Sequence, residues 1–220
     1  MKALLGSILM ALIASASVRS EPATPGHAAN AHMHRMDFEK LVARFEDPAR
    51  AKWQQPKKVI EGLGPLAGKT VADIGAGTGY FAFPIAKKAA KVIAIDIDGR
   101  FLHYLEQKKA AQKGAANIET RLTAPDSPGL NKAEADVVLI IDTFHHIEKR
   151  ISYLKKIRKS LRKDGVLVIV DFKKEKTPQG PPLELRLAEQ EVESELKAAG
   201  FALIPTDRTT LPYQYIIKAR

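Results

Sequence analysis

The stretch Val71-Ala72-Asp73-Ile74-Gly75-Ala76-Gly77-Thr78-Gly79 decides the fold. An apolar run with an acid in its third place breaks into three alternating glycines, and an amphipathic segment follows. A strand, a tight turn and a helix are therefore expected in succession. Bare Cα atoms at Gly75 and Gly77 let a ligand approach the backbone, and N–H groups at the start of the following helix can receive a carboxylate. Three glycines alone mark only a turn. The added weight comes from the next apolar run, Val92-Ile93-Ala94-Ile95, which ends in Asp96, 21 residues beyond Gly75. A carboxylate there can accept both hydroxyls of a ribose. Tyr80 stands where a dinucleotide-binding turn would carry its third glycine. Asp73 would repel a pyrophosphate but suits the ammonium of an amino acid. Both features weigh against NAD and FAD.

Outward from this motif, β-branched runs alternate with amphipathic stretches, the pattern of βαβ units building a parallel sheet. Strands are expected over 70–74, 91–96, 117–122, 135–141, 165–171, 201–204 and 213–218, and helices over 79–89, 99–113, 151–163 and 183–199. The fold class is α/β, a doubly wound seven-stranded Rossmann-like sheet with helices on both faces and its ligand at the carboxyl ends of the first strands. Residues 37–66 form a helical cap ahead of the sheet. Asp47-Pro48 starts one of its turns, since proline suits the first helical position.

Taken together, these residues resemble the class I S-adenosylmethionine-dependent methyltransferases, over roughly Lys69 to Arg220. The resemblance implies an antiparallel final strand and S-adenosylmethionine as cofactor, leaving as S-adenosylhomocysteine. It also implies that Asp73, Gly75, Ala76, Gly77 and Gly79 hold the methionine part, that Asp96 holds the ribose, and that Ile97 and Asp126 lie at the adenine. Asp126 is equally a turn former ahead of Pro128. The resemblance further implies that Asp142-Thr143-Phe144-His145-His146-Ile147 is the loop after the fourth strand and faces the transferred methyl. The HHI ending, with Asp47-Pro48 and Trp53-Gln54-Gln55-Pro56, is similar to a poorly characterised subgroup with an N-terminal signal segment. Candidate bases are His146 first, then His145, with Asp142 lining the cofactor side. Trp53 and Tyr213 are candidate aromatic walls of the acceptor pocket.

Composition bounds the alternatives. The chain has 220 residues, 45% of them hydrophobic, enough for one sizeable core. It carries 35 Lys plus Arg against 25 Asp plus Glu, a formal +10. The run of cations from Lys155 to Lys163 reads as the wet face of one helix, because Ile151, Leu154, Ile157 and Leu161 recur at helical spacing. No aromatics interleave with those cations, so nucleic acid is disfavoured as a partner. No cysteine is present, which excludes disulfides, thiolate metal sites and cysteine nucleophiles.

Residues 1–20 combine Lys2, an apolar stretch from Ala3 to Ala14 and the small-residue site Ala14-Ser15-Ala16, the pattern of a signal peptide. Export to the periplasm is expected, with an uncleaved membrane anchor as the alternative. Any membrane contact runs through this segment. Residues 21–36 read as a linker; its His27, His32 and His34 are expected to be solvated, and no metal is assigned to them. The expected activity is methyl transfer to a nucleophilic acceptor, with a small molecule favoured because no long insertion follows Lys69. Two readings compete: an NAD(P)-dependent oxidoreductase, and a non-catalytic S-adenosylmethionine- or S-adenosylhomocysteine-binding protein on the same fold.

Overall fold

The computed structural model describes residues 26, 29–30, 33 and 35–220, except 113. The expected signal peptide and His27, His32 and His34 lie outside the described residues.

Seven strands form one sheet: β1 (Thr70–Ile74), β2 (Lys91–Asp96), β3 (Ile118–Leu122), β4 (Ala135–Ile141), β5 (Leu161–Phe172), β6 (Leu203–Asp207) and β7 (Gln214–Ala219). Their order is β3-β2-β1-β4-β5-β7-β6. The first five pair in parallel, and β7 enters antiparallel between β5 and β6. The order reverses between β1 and β4, which opens a crevice at their carboxyl ends. Val71, Val138, Leu139 and Ile140 are fully buried. Such strands must be apolar on both faces, and this is why they read as continuous runs rather than alternations.

Before the sheet come α1 (Phe38–Phe45), α2 (Arg50–Gln54) and α3 (Pro56–Gly62). Between and after the strands lie α4 (Ala82–Ala86), α5 (Gly99–Ala111), α6 (Arg150–Ser160) and α7 (Glu189–Ala198). The cap starts cleanly because the Asp37 side chain accepts from the Lys40 amide at 3.1 Å, an N-cap that satisfies one orphan donor. Phe45 stacks on Phe101 of α5 with centroids 5.5 Å apart, and Lys108 pairs with Glu46 at 2.8 Å. The cap is thereby laid across the carboxyl edge of the sheet.

Several boundaries differ from expectation. The helix after the glycines begins only at Ala82, since Gly77 and Gly79 both hold positive φ. Helix α6 stops at Ser160, and β5 starts at once with Leu161 opposite Ala135; the register then shifts around Asp164, at φ +63°. The expected helix over 183–199 is two pieces, a 3-10 turn at Leu183–Leu185 and α7, with the buried Arg186 between them. Within the expected linker, the described residues touch the domain. Ala29 is buried, and Asn30 donates to the His146 carbonyl at 3.1 Å.

Candidate active site

A cavity of about 600 Å³ opens at the reversal point, under the cap. That size falls within the ~300–1,000 Å³ usual for small-ligand sites. Its floor is the glycine turn. The Gly75 and Ala76 amides donate to the Ile95 carbonyl at 2.8 and 3.0 Å, tying the turn to β2. Gly77 donates to Asp96 Oδ2 at 2.9 Å, and Gly79 donates to the Ala76 carbonyl. These four amides are engaged, so the turn does not present them to a pyrophosphate, and the expected free helix N-terminus is not at Gly79. A Cβ on Gly75 would collide with Thr143, whereas one on Gly77 would meet only Phe45, at 3.5 Å. Gly79 does not line the cavity; a Cβ there would press on Phe83 and Leu105, so its glycine serves helix packing.

Carboxylates dominate the floor. Asp73, 3% exposed, has its pKa pushed up to about 7 by burial and then by neighbouring Asp96, against the pull of Arg50. Burial likewise raises Asp96, although the amides of Asp98, Gly77 and Ile97 oppose the shift. Asp142, at positive φ, is pushed to about 6 by burial, again against Arg50. Asp73 and Asp96 are thus buried with no ion pair among the described residues, whereas Asp142 is part-buried and paired with Arg50. Thr78 Oγ1 is buried there without a partner among the described residues. A ligand bearing an ammonium, a sulfonium and a ribose answers this donor set, and one bearing phosphates does not.

Arg50, which sequence reasoning missed, is the cation nearest these acids. It donates to the Phe45 carbonyl at 3.1 Å and to Gln54 at 3.0 Å, and it pairs with Asp142 at 3.4 Å. Its guanidinium also lies 4.2 Å from the Tyr80 ring centroid, which gives Tyr80 a packing role that a glycine could not fill.

The two histidines separate. His145, 3% exposed, puts Nδ1 3.0 Å from both oxygens of Asp171, and its amide donates to the same carboxylate at 3.2 Å. Burial lowers the His145 pKa, but the Asp171 charge and hydrogen bond outweigh it and raise the group overall. Asp171 is held below its usual value, its pairing with His145 overcoming burial. Both His145 and His146 line the cavity, but His146 turns Nδ1 to Asn30, at 3.0 Å.

Among the other expected site residues, Ile97, Trp53 and Tyr213 line the cavity, and Asp126 does not. The Asp126 side chain is 80% exposed and pairs with Lys156 at 3.6 Å; the turn-former reading is the one that fits. Thr123 and Pro125 line that side instead. Asp171 and Gln214 were also missed, because their partners lie 26 and 72 residues away in sequence.

Comparison with known proteins agrees with this geometry. The methyltransferase-domain family profile matches residues 72–167. A demethylmenaquinone methyltransferase of Tropheryma whipplei is 31% identical over 136 residues, 62% of this chain and 54% of the relative. A tRNA U34 carboxymethyltransferase of Desulfotalea psychrophila is 29% identical over 119 residues, 54% of this chain and 36% of the relative. The chain thus spans about half or less of these relatives' lengths. A solved structure of a SAM-dependent methyltransferase from Aquifex aeolicus superposes with a TM-score of 0.77 at 27% identity, covering 84% of this chain and 98% of that one. Sheet order, glycine turn and sequence matches agree in supporting a class I S-adenosylmethionine-dependent methyltransferase, with the methyltransferase-domain match lying over the part of the chain that holds the turn.

Proposed function

We propose that the protein binds S-adenosylmethionine in the cavity under its cap and transfers the methyl group to a small-molecule acceptor. The observation that carries this reading is the cluster of carboxylates, buried Asp73 and Asp96 with part-buried Asp142, around a glycine turn whose amides are already engaged. When bound, the cofactor supplies an electrophilic methyl on a sulfonium. The chain's own residues have the remaining tasks. Asp73 meets the ammonium, Arg50 offers charge to the amino-acid carboxylate, Asp96 faces the ribose, and Ile97, 41% exposed, covers the adenine face. Gly75, Ala76 and Gly77 keep the methionine end free of side chains. Closing the cap excludes water and fixes the acceptor in line with the methyl. His145, anchored by Asp171, takes precedence over His146 as proton acceptor.

A cavity of this size under a cap suits a small acceptor better than a nucleic-acid strand, which would need a long cationic groove with stacking aromatics. Titration calorimetry tests the reading directly. S-adenosylhomocysteine should bind and NADH should not; binding of NADH alone would overturn it. Export to the periplasm belongs to the same proposal and rests on residues 1–20. It is tested by the mass of the mature N-terminus, which should begin after Ala16. Among the described residues, no helix is long and apolar enough to cross a membrane.

A further inference from the structure

We infer that the acceptor is an uncharged, flat aromatic ring carrying an ionisable hydroxyl, a phenol in chemical class, with His145 receiving its proton and Asp171 acting as the positioning residue. The inference rests on the methyltransferase reading and adds to it what lies on the far side of the cavity.

That side is built by the ends of β5 and β7 and the loop between β5 and α7. Trp53 and Phe172 pack against each other at a tilt, ring centroids 5.5 Å apart, and Tyr213, Pro178, Pro182 and Leu185 continue the lining. Flat, rigid, apolar walls favour a flat ring, which stacks with little loss of entropy. His145, Trp53 and Phe172 line the same cavity, so this lobe adjoins the His145 anchor.

The charges of the wall are turned inward. Arg186, 5% exposed, donates to the carbonyls of Lys173, Glu175, Gln179 and Pro181 and to the Thr177 hydroxyl, at 2.7 to 3.2 Å. Its guanidinium also lies over the Phe172 ring at 5.3 Å. It pegs the loop and offers nothing to a carboxylate. On the other side, Asp171 is committed to His145, and Asp142 to Arg50 and Gln214. Neither is open to an ammonium. The one cation next to Trp53 in the lining, Lys52, is exposed to solvent, so a charged acceptor would enter this lobe without a buried partner, which is costly.

The chemistry then falls to His145. Its Nδ1 is taken by Asp171, and Nε2 has no hydrogen bond among the described residues. The acceptor oxygen forms a bond to the methyl carbon as the carbon–sulfur bond breaks. The electron pair of that bond stays on sulfur, and the hydroxyl proton passes to His145 Nε2. A phenol, with a pKa of about 10, can share its proton with such a base, whereas an aliphatic alcohol holds its proton far more tightly. The charged and titratable groups facing His145 are Asp171, Asp142 and Arg186, with the His146 ring 4.4 Å away.

Trp53 is the sole tryptophan and therefore reports occupancy of the lobe. The full chain, saturated with S-adenosylhomocysteine, is titrated with 4-ethylphenol, 4-ethylbenzoate and 4-ethylcyclohexanol while Trp53 emission is followed. The phenol should bind at least about tenfold tighter than the benzoate, and Tyr213→Ala or Phe172→Leu should weaken it while leaving S-adenosylhomocysteine affinity unchanged. With S-adenosylmethionine, mass spectrometry should find the aryl methyl ether. His145→Gln should cut turnover by about a hundredfold with phenol binding intact. Asp171→Asn should cut turnover and displace the acidic limb of the pH profile. If the benzoate binds as well as the phenol, if none of the three binds, or if His145→Gln transfers at full rate, the inference fails while the cofactor reading stands. If S-adenosylhomocysteine itself does not bind, both fall.

Discussion

Gly75 and Gly77 look equivalent in the motif but are glycines for different reasons. Gly75 is at φ +75°, and a side chain there would run into Thr143; Gly75→Ala is therefore expected to cost about 1–3 kcal/mol of stability, seen as a lowered midpoint in urea. Gly77 has room for a methyl group, which would stand toward Phe45 across the cavity. Gly77→Ala should cost only about 1 kcal/mol for its φ yet weaken S-adenosylhomocysteine roughly tenfold or more by calorimetry. Asp73 makes a pH prediction. Its folded pKa of about 7 lies above its unfolded value, so the stability it contributes at low pH is lost as pH rises through 7. A cationic ligand reverses the preference by favouring the ionised carboxyl. Affinity for S-adenosylmethionine should therefore rise between about pH 6 and 8 with proton release, and Asp73→Asn should flatten that dependence. Equal proton release by the variant would assign the titration elsewhere, Asp96 and Arg50 being the charged groups that face it.

Among the elements, β1, β2 and β4 fall where the sequence places them, because a strand buried on both faces leaves an unbroken apolar run with sharp ends. The glycine turn and Asp96 were legible for a related reason: their spacing is local. The segment after β5 was not. Leu183 to Ala199 has a helical apolar spacing throughout, yet it breaks at Arg186, whose acceptors are backbone carbonyls of the preceding loop that no side-chain pattern announces. The different partners of His145 and His146 were hidden in the same way, since one of them is Asp171 in a different strand. Arg186 gives this element its own prediction. A lysine keeps the charge but cannot fan donors over five acceptors. Arg186→Lys should loosen the loop, shown by faster proteolysis between Lys173 and Pro182, and should raise the KM for acceptor several-fold with S-adenosylhomocysteine affinity unchanged. A variant with normal acceptor KM would remove the loop from the acceptor site.

At the scale of the whole molecule, cap and sheet are joined by a closed ring of polar side chains. Arg50 donates to Gln54, Gln54 to Gln214 at 3.1 Å, and Gln214 to Asp142, which pairs back with Arg50. Gln54 and Gln214 are both fully buried. The ring ties α2 to β7 and to the residue just after β4, so the cap's position and the site's carboxylate are set together. A ring of this kind is worth most when complete, because each missing member strands a buried neighbour. Gln54→Met and Gln214→Met should each cost about 1–3 kcal/mol. The double variant, which removes both halves of one bond, should be more stable than the sum of the two losses implies, by about 0.5–3 kcal/mol. Release of S-adenosylhomocysteine should also quicken in each single variant, because the cap that covers it is no longer latched. Strictly additive losses, or an unchanged release rate, would mean that the cap is held by its aromatic contacts with α5 and β5 alone and that the ring only satisfies itself.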